Sequence, residues 1–208
     1  MTVGGTADAE DPRVPAGGRL TANQADRRRR VVEAAVELAS EGGYELVQMR
    51  DVATRANVAL GTIYRYFESK DQLLGAALVE WAEALEQRLA QRPAVGATAE
   101  DRVVDVLRRA CRAIERNQRL SSALITAVGS PDDGISRYQA EVNEVLVRIL
   151  DSALEDVEDV EDSQRDGLVR ILSHVWFAAL IGWVHGWRGV RSVGDELEFA
   201  ARFLLSAG

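Results

Sequence analysis

Apolar residues recur at spacings of three and four along most of the chain, which is the period of an α-helix. Val32, Ala35 and Ala39 begin the pattern, and the pair Gly42-Gly43 is expected to end the first helix. No segment shows sustained strict alternation, so no strand is expected. The pattern predicts an all-α protein of about nine helices, near residues 26–42, 49–56, 60–66, 70–92, 99–117, 121–128, 135–156, 165–187 and 194–206.

Changes in this pattern divide the chain into three parts. Residues 1–25 hold four glycines and two prolines without apolar periodicity, so we expect a flexible arm. Residues 26–70 contain three short helices and form a small N-terminal domain. The helices of residues 71–208 form a larger C-terminal domain, long enough to bury its own core.

Charge is distributed unevenly over these parts. The formal net charge is −8, which alone argues against a nucleic-acid partner. Residues 71–208 carry that acidity, with 15 basic and 23 acidic side chains, whereas residues 26–70 have eight basic and seven acidic side chains. Because DNA binding depends on local placement of cations, the overall charge does not exclude it.

Several functional classes are not supported by the composition. The two histidines, His174 and His185, lie about 16 Å apart on one predicted helix and cannot share a metal. No catalytic triad, metal-ligand spacing or phosphate-binding glycine loop can be assembled, so no enzyme, metal or cofactor is expected. The acidic residues 155–162 lack the ligand spacing of a calcium loop and are interpreted as a solvated connection.

The expected location is the cytoplasm, without a membrane. The longest apolar run, residues 175–184, is half the length that a bilayer span needs, and the N-terminus lacks a signal peptide. A single cysteine, Cys111, excludes an internal disulfide and fits a reducing compartment.

The helices at 49–56 and 60–66, with Asn57 in the short turn between them, have the spacing of a helix-turn-helix. In the second helix Ile63 and Phe67 supply the buried side. Thr62, Arg65 and Tyr66 would then project outward, where arginine can read guanine and the others can contact phosphate or thymine methyl groups. Such a helix alone is more often a solvated face than a DNA reader.

The stretch YELVQMRDVATRANVALGTIYRYFESKDQLL resembles the DNA-binding domain of the tetracycline-repressor (TetR) family. Gly61, Tyr64, Tyr66-Phe67, Lys70 and Leu73-Leu74 match the family pattern over about 45 residues. Asn57 stands where many members have glycine, and Ala59 where many have a hydroxyl cap. The resemblance implies an N-terminal three-helix helix-turn-helix domain, a C-terminal ligand-binding and dimerisation domain, and a transcriptional repressor.

The candidate DNA contacts combine the motif with the cationic residues around it. Gln48 and Arg50 are phosphate contacts by resemblance, with an ion pair from Arg50 to Glu45 or Asp51 as the alternative. The arginine run 27–30 is either a solvated flank or a phosphate-contacting arm. The full set is Arg27, Arg28, Gln48, Arg50, Gly61, Thr62, Tyr64, Arg65, Tyr66 and Lys70.

The helix at 165–187 is apolar nearly all round, so it must be covered on more than one face. A second subunit is the natural cover, and family resemblance implies that the last two helices pair with those of the partner. A homodimer also places two recognition helices on the half-sites of a palindromic operator, about 34 Å apart. The predicted interface comprises Phe177, Ile181, Val184, Phe199 and Phe203.

A pocket for a hydrophobic small-molecule effector is expected between helices four to eight. Its predicted lining is Trp81, Leu85, Leu107, Cys111, Ile125, Tyr138, Trp176 and Trp183, although each of these residues taken alone is more often plain core than pocket. We expect the effector to shift helix four and so move the recognition helices out of register.

Two segments, RNQRLSSAL and LSHVWFAALIGWVHGWR, are similar to the KstR subfamily, actinobacterial repressors of cholesterol catabolism. That similarity implies a sterol-derived or fatty acyl-CoA thioester. The alternatives are a ligand-responsive regulator of drug efflux and a helical interaction module that does not bind DNA, for which Arg65→Ala would be silent.

Overall fold

The computed structural model describes residues 21–154 and 162–206, which form nine α-helices, one 3-10 turn and no strand within those ranges. The all-α prediction is therefore confirmed. Most of the predicted arm and the acidic connection at 155–161 lie outside the described residues. The helices are α1 Ala22–Leu46, α2 Met49–Ala56, α3 Leu60–Tyr64, α4 Lys70–Ala90, α5 Ala99–Arg116, α6 Gln118–Val128, α7 Ser136–Leu154, α8 Asp162–Val184 and α9 Val190–Ser206, with the 3-10 turn at Asp133–Ile135.

Helix α1 begins four residues earlier than the apolar pattern predicts. Thr21 and Gln24 form a reciprocal capping box, in which each side chain accepts a hydrogen bond from the other residue's backbone N–H. This polar signal precedes the first apolar position, which is why periodicity alone missed it. At the other end Gly43 has φ of 72°, so the helix is interrupted at the expected glycine pair.

Helix α8 ends at Val184, three residues before the predicted end. Gly186 adopts a positive φ of 74°, and the N–H groups of Gly186 and Trp187 donate to the carbonyls of Trp183 and Gly182. These two bonds form a Schellman motif, which satisfies the last free carbonyls of the helix. Trp187 therefore lies outside the helix, 73% exposed.

Two hydrophobic cores divide the molecule, and the boundary between them passes through α4. The first core unites α1 to α3 with the first half of α4, up to Val79, and also takes residues from α6. The second core contains the remaining helices. Helix α6 packs along α1, and Asn117 and Arg119 bond to Ser40 and to the carbonyl of Glu41. The predicted division at residue 70 therefore does not follow the packing.

The Arg165–Val184 part of α8 is long and apolar enough to cross a membrane by length and composition alone. Its inner side carries Leu172 and Trp176, both fully buried in the second core. Its outer side exposes Ile171 and Phe177 to 43% each. The helix thus behaves as a core helix with one uncovered apolar face.

Candidate DNA interface and effector cavity

The helix-turn-helix is formed by α2, a three-residue turn and α3. Asn57 adopts the left-handed conformation, with φ of 52° and ψ of 54°, as its tolerance for tight turns predicts. The N–H of Val58 donates to the carbonyl of Ala53 across the turn. Ile63 and Phe67 are buried to 0% and 1% exposure and anchor α3 on the first core. Helix α3 is five residues long, and Ala59 provides no side-chain cap at its start.

Most of the predicted DNA contacts lie on the outward surface around this motif. Gln48, Arg50, Gly61, Tyr64 and Arg65 are exposed, and Tyr64 is 50% accessible. No ion pair joins Arg50 to Glu45 or Asp51 among the described residues. Thr62 is half-buried. Tyr66 is turned partly inward, packs against the first core and lies 6.4 Å from the Phe67 ring, because it follows the end of α3.

The packing of the protein itself does not require a glycine at position 61. A Cβ atom built on Gly61 would meet no other group within 4 Å, and its backbone does not have the positive φ that favours glycine. An alanine side chain would therefore fit within the monomer. A surface at which a bulky partner approaches the start of α3 does give a reason for glycine.

The arginine run 27–30 is mostly engaged within the protein. Arg28 pairs with Glu80 of α4 at 2.9 Å and lies over the Phe67 ring. Arg29 bonds to Asp26 and Glu33, and Arg30 donates to the carbonyl of Ala56 at the end of α2. Arg27 is exposed and has no ion pair with a described residue. The run thus fastens α1 to its neighbours, and Arg27 alone keeps an unengaged charge.

Lys70 and its neighbour connect the helix-turn-helix to the rest of the molecule. The Lys70 ammonium lies 3.7 Å from the centre of the Tyr44 ring. Asp71 accepts a 2.5 Å hydrogen bond from the Tyr44 hydroxyl and a 2.6 Å bond from Ser130, which follows α6. Lys70 is therefore half-buried beside a link between α1, α4 and the end of α6.

A wholly apolar cavity of about 50 Å³ lies between α4, α6, α7 and α8. Four of the predicted effector contacts line it: Trp81, Leu85, Ile125 and Trp176. Leu78, Leu124 and Val128 also line it and were missed; they belong to the first core as well. Phe177 lines the cavity too, although it was predicted only as an interface residue.

The other four predicted contacts lie elsewhere. Leu107 and Cys111 are buried on α5 within the second core, with Cys111 against Gly194, and burial raises the pKa of the Cys111 thiol to about 12. Tyr138 packs against Gly75 in the first core, and Trp183 lies beyond the cavity on α8. Each sits on an inward helix face, as predicted, but those faces meet other side chains and not the cavity.

Two of the lining residues carry a polar group, although the surface that the lining presents to the cavity is apolar. Ser121 is buried, and its hydroxyl donates to the carbonyl of Ile114 at 3.1 Å. Trp176 is 1% exposed, and its indole Nε1 has no hydrogen-bond partner among the described residues. A buried donor without an acceptor costs free energy, so the Trp176 N–H is a destabilising feature of this core.

Helices α8 and α9 both expose large apolar side chains. Phe177, Phe199 and Phe203 are 43%, 71% and 63% exposed, and the last two rings stack at 6.3 Å. Ile181 and Val184 are partly buried against the second core. The five predicted interface residues therefore lie along the same two helices.

Comparison with known proteins agrees with this architecture. The model of bacterial regulatory proteins of the tetR family matches residues 31–77, and a tetracyclin repressor-like C-terminal domain matches residues 96–204. The similarity thus extends well beyond the 45 residues recognised from the motif. The HTH-type transcriptional repressor KstR of Rhodococcus jostii is 36% identical over 185 residues, covering 89% of this chain and 85% of the relative.

Solved structures share the whole fold. A TetR transcriptional regulator from Rhodococcus sp. RHA1 superposes with a TM-score of 0.74 at 30% identity, covering 88% of this chain and 97% of that one. Thermus thermophilus FadR, a TetR-family repressor solved with lauroyl-CoA, gives 0.69 at 22% identity, covering 86% and 93%. The chain belongs to the TetR family of bacterial transcriptional regulators.

Proposed function

We propose that this regulator is a homodimeric, cytoplasmic repressor that an elongated apolar molecule, a fatty or sterol-derived acyl-CoA thioester, releases from a palindromic operator. One observation carries the proposal: the walls of the apolar cavity are also part of the core on which the DNA-binding helices rest. Leu78, Leu124 and Val128 contribute to both.

DNA binding is assigned to the outward surface of the helix-turn-helix. Arg65 and Thr62 are positioned to read base edges, and Gln48, Arg50 and Tyr64 to hold phosphates. Gly61 permits close approach of the DNA backbone. Arg28, Tyr66 and Lys70 are engaged within the protein and serve mainly to hold the motif in place.

Dimerisation is assigned to the uncovered face of α8 and α9. Phe177, Phe199 and Phe203 together expose an apolar patch that water would otherwise cover. Isologous pairing of this face with a second copy would bury the three rings and present two recognition helices. This arrangement follows the interface that family resemblance implies.

The chemical class of the effector follows from the cavity lining. An apolar chain or ring system matches its wholly apolar walls. Thermus thermophilus FadR, which shares this fold, holds lauroyl-CoA. The chain is also similar to KstR, and that similarity implies a sterol-derived or fatty acyl-CoA thioester, which is the same class of ligand.

Release from DNA follows from the size of the cavity. A cavity of about 50 Å³ holds a few atoms, so an acyl chain must push its walls apart. Helix α4 forms one wall and carries Asp71, and α6 forms another and packs along α1. Displacement of either helix would move the recognition helix, so effector and operator weaken each other's binding.

The test is fluorescence anisotropy of the full-length dimer on a labelled fragment of its own upstream region. Stearoyl-CoA and the CoA thioester of a sterol side-chain acid are added, with free CoA as the control. We expect salt-sensitive DNA binding that at least one thioester, but not CoA, reduces tenfold or more. Absence of salt-sensitive binding to any palindrome would contradict the repressor. Undiminished affinity at saturating thioester would contradict the effector class.

A further inference from the structure

We propose that a second cavity, lined by four arginines, binds the phosphate-bearing head of the effector while the apolar cavity holds its tail. This inference rests on the proposed function, because it assigns the two ends of the same ligand. The second cavity, of about 270 Å³, opens where α4 ends, beside α5 and α7. We call it the arginine cavity; its arginines are Arg92, Arg102, Arg109 and Arg148.

The charge of the arginine cavity contrasts with that of the domain around it. Residues 71–208 have a net charge of −8, yet this lining contains four arginines and one carboxylate, Glu86. Glu86 is already paired with Arg148 at 2.7 Å. Arg109 is likewise paired, with Asp105 outside the lining, so the uncompensated positive charge of the lining rests on Arg92. An exposed guanidinium group beside three further arginines in an acidic domain matches an anionic ligand, and arginine suits phosphate because it can donate two parallel bonds.

The local sequence explains how these arginines come together. Arg102, Val106 and Arg109 are spaced by four and three residues, so they share one face of α5. Arg109 is held in place by Asp105 at 3.2 Å and by the carbonyl of Arg92 at 2.9 Å. The Arg92 side chain itself is exposed and pairs with none of the described carboxylates. Arg92 is therefore available to a ligand, whereas Arg109 is a fixed wall.

The arginine cavity and the apolar cavity follow one another along the same two helices. On α4 the apolar lining runs from Leu78 to Leu85, and the lining of the arginine cavity begins at Glu86. On α7 Ile149 lines both cavities. From Leu78 to Ala90 the helical rise is about 18 Å. An elongated ligand with an apolar tail and an anionic head fits this order.

The experiment compares two forms of one ligand. The tail that binds best in the DNA-release assay, stearoyl or sterol, is prepared as the CoA thioester and as the pantetheine thioester, which lacks phosphate. Isothermal titration measures both on the wild-type dimer. We expect the CoA thioester to bind at least tenfold more tightly, and its affinity to fall more steeply with salt.

Arg92→Gln and Arg102→Gln are the test variants, and Arg112→Gln is the matched control because Arg112 is exposed on the same helix as Arg102 but outside the cavity. Each test variant should weaken the CoA thioester about tenfold and leave the pantetheine thioester unchanged. The affinity of each test variant for free CoA should decrease in the same way as its affinity for the CoA thioester. Thermal unfolding of each variant verifies that it is folded, and Arg92→Gln is the informative one if Arg102→Gln does not fold.

Four outcomes separate the two proposals. Equal affinity of the wild type for both thioesters, or equal losses in the test and control variants, would overturn the head-group site while leaving the effector class intact. Loss of pantetheine thioester binding in both test variants would also overturn it, since the arginines would then act on the tail. Failure of every thioester to bind the wild type would overturn the proposed function and this site together.

Discussion

The Tyr44 hydroxyl donates a 2.5 Å hydrogen bond to Asp71, and so joins the last turn of α1 to the first turn of α4. Burial first, and then the bond to Asp71, raise the pKa of Tyr44 well above its ordinary value. The second Asp71 oxygen accepts from Ser130. The Asp71 carboxylate therefore links the helix-turn-helix domain to the segment that follows α6. Helix α6 itself forms one wall of the apolar cavity.

Removing this hydroxyl should loosen the junction without dismantling it. We expect Tyr44→Phe to lower the free energy of unfolding by about 1 kcal/mol, since one hydrogen bond is lost while the ring remains over Lys70. Urea denaturation measures the change. The control is Tyr64→Phe, whose side chain is half exposed and should have little effect. An equal loss in both variants would contradict a special role for the Asp71 link.

Gly61→Ala should separate stability from function. Alanine favours a helix over glycine by up to about 1 kcal/mol, and its methyl group meets nothing in the monomer, so the variant should be at least as stable. Operator affinity should nevertheless fall tenfold or more, because the methyl group faces the DNA backbone. Gly167→Ala on α8, also in open space, is the control that should bind DNA normally. Unchanged operator affinity in Gly61→Ala would remove Gly61 from the interface.

Arg50→Ala tests the phosphate contacts. A phosphate-binding cation contributes to affinity for every sequence, so binding to operator and to non-specific DNA should weaken together. The slope of log affinity against log salt should decrease by about 1 per half-site. Arg112→Ala, on α5, should leave both quantities unchanged. A slope identical to that of the wild type would assign Arg50 to the solvated surface.

Phe203→Glu tests the dimer face. A charge placed on this exposed ring position would have to be buried in the α8 and α9 interface, so the variant should sediment as a monomer and lose operator affinity at least a hundredfold. Val95→Asp removes another exposed apolar residue, in the connection between α4 and α5, and should remain dimeric. A dimeric Phe203→Glu protein would place the interface elsewhere.

Cys111 provides a pH and reactivity test of the second core. Burial first, and next Glu115, raise the pKa of the thiol to about 12 from its ordinary 9.0. The folded protein favours the neutral thiol, so its stability is full below pH 9 and decreases as the pH rises from 9 towards 12. Alkylation by iodoacetamide at pH 8 should therefore require unfolding, and should become fast in denaturant. Rapid modification of the native protein would contradict the buried position.

The DNA-binding motif was predictable because its requirements are local. Ile63 and Phe67 are four residues apart, the spacing of a single helix face, which identifies the buried side, and Asn57 tolerates the left-handed turn. The lining of the apolar cavity was not predictable to the same degree. Leu107 and Ile125 are both inward-facing apolar residues, and only the packing of four helices decides that Ile125 meets a void and Leu107 a filled core.

The arginine cavity was even less predictable from the sequence than the apolar cavity. Arg102 and Arg109 look like the solvated face of an amphipathic helix when α5 is considered alone. Arg148 lies on α7 and Arg92 beyond the end of α4, so only the tertiary structure brings the four together. A cluster of charged residues can be recognised from the sequence when its members are contiguous, as at 27–30. In this chain, however, most arginines of that contiguous run bind groups of the protein itself.

Because α6 contributes to the first core, the boundaries of fragments and chimeras of this protein are restricted. Leu120, Leu124 and Val128 complete the hydrophobic interior of the DNA-reading helices, so a fragment ending at residue 70 would expose apolar surface and fold poorly. A chimera that exchanges DNA specificity between relatives would need to carry the matching surface of α6 with it. We therefore expect the DNA-binding helices and α6 to change together during evolution.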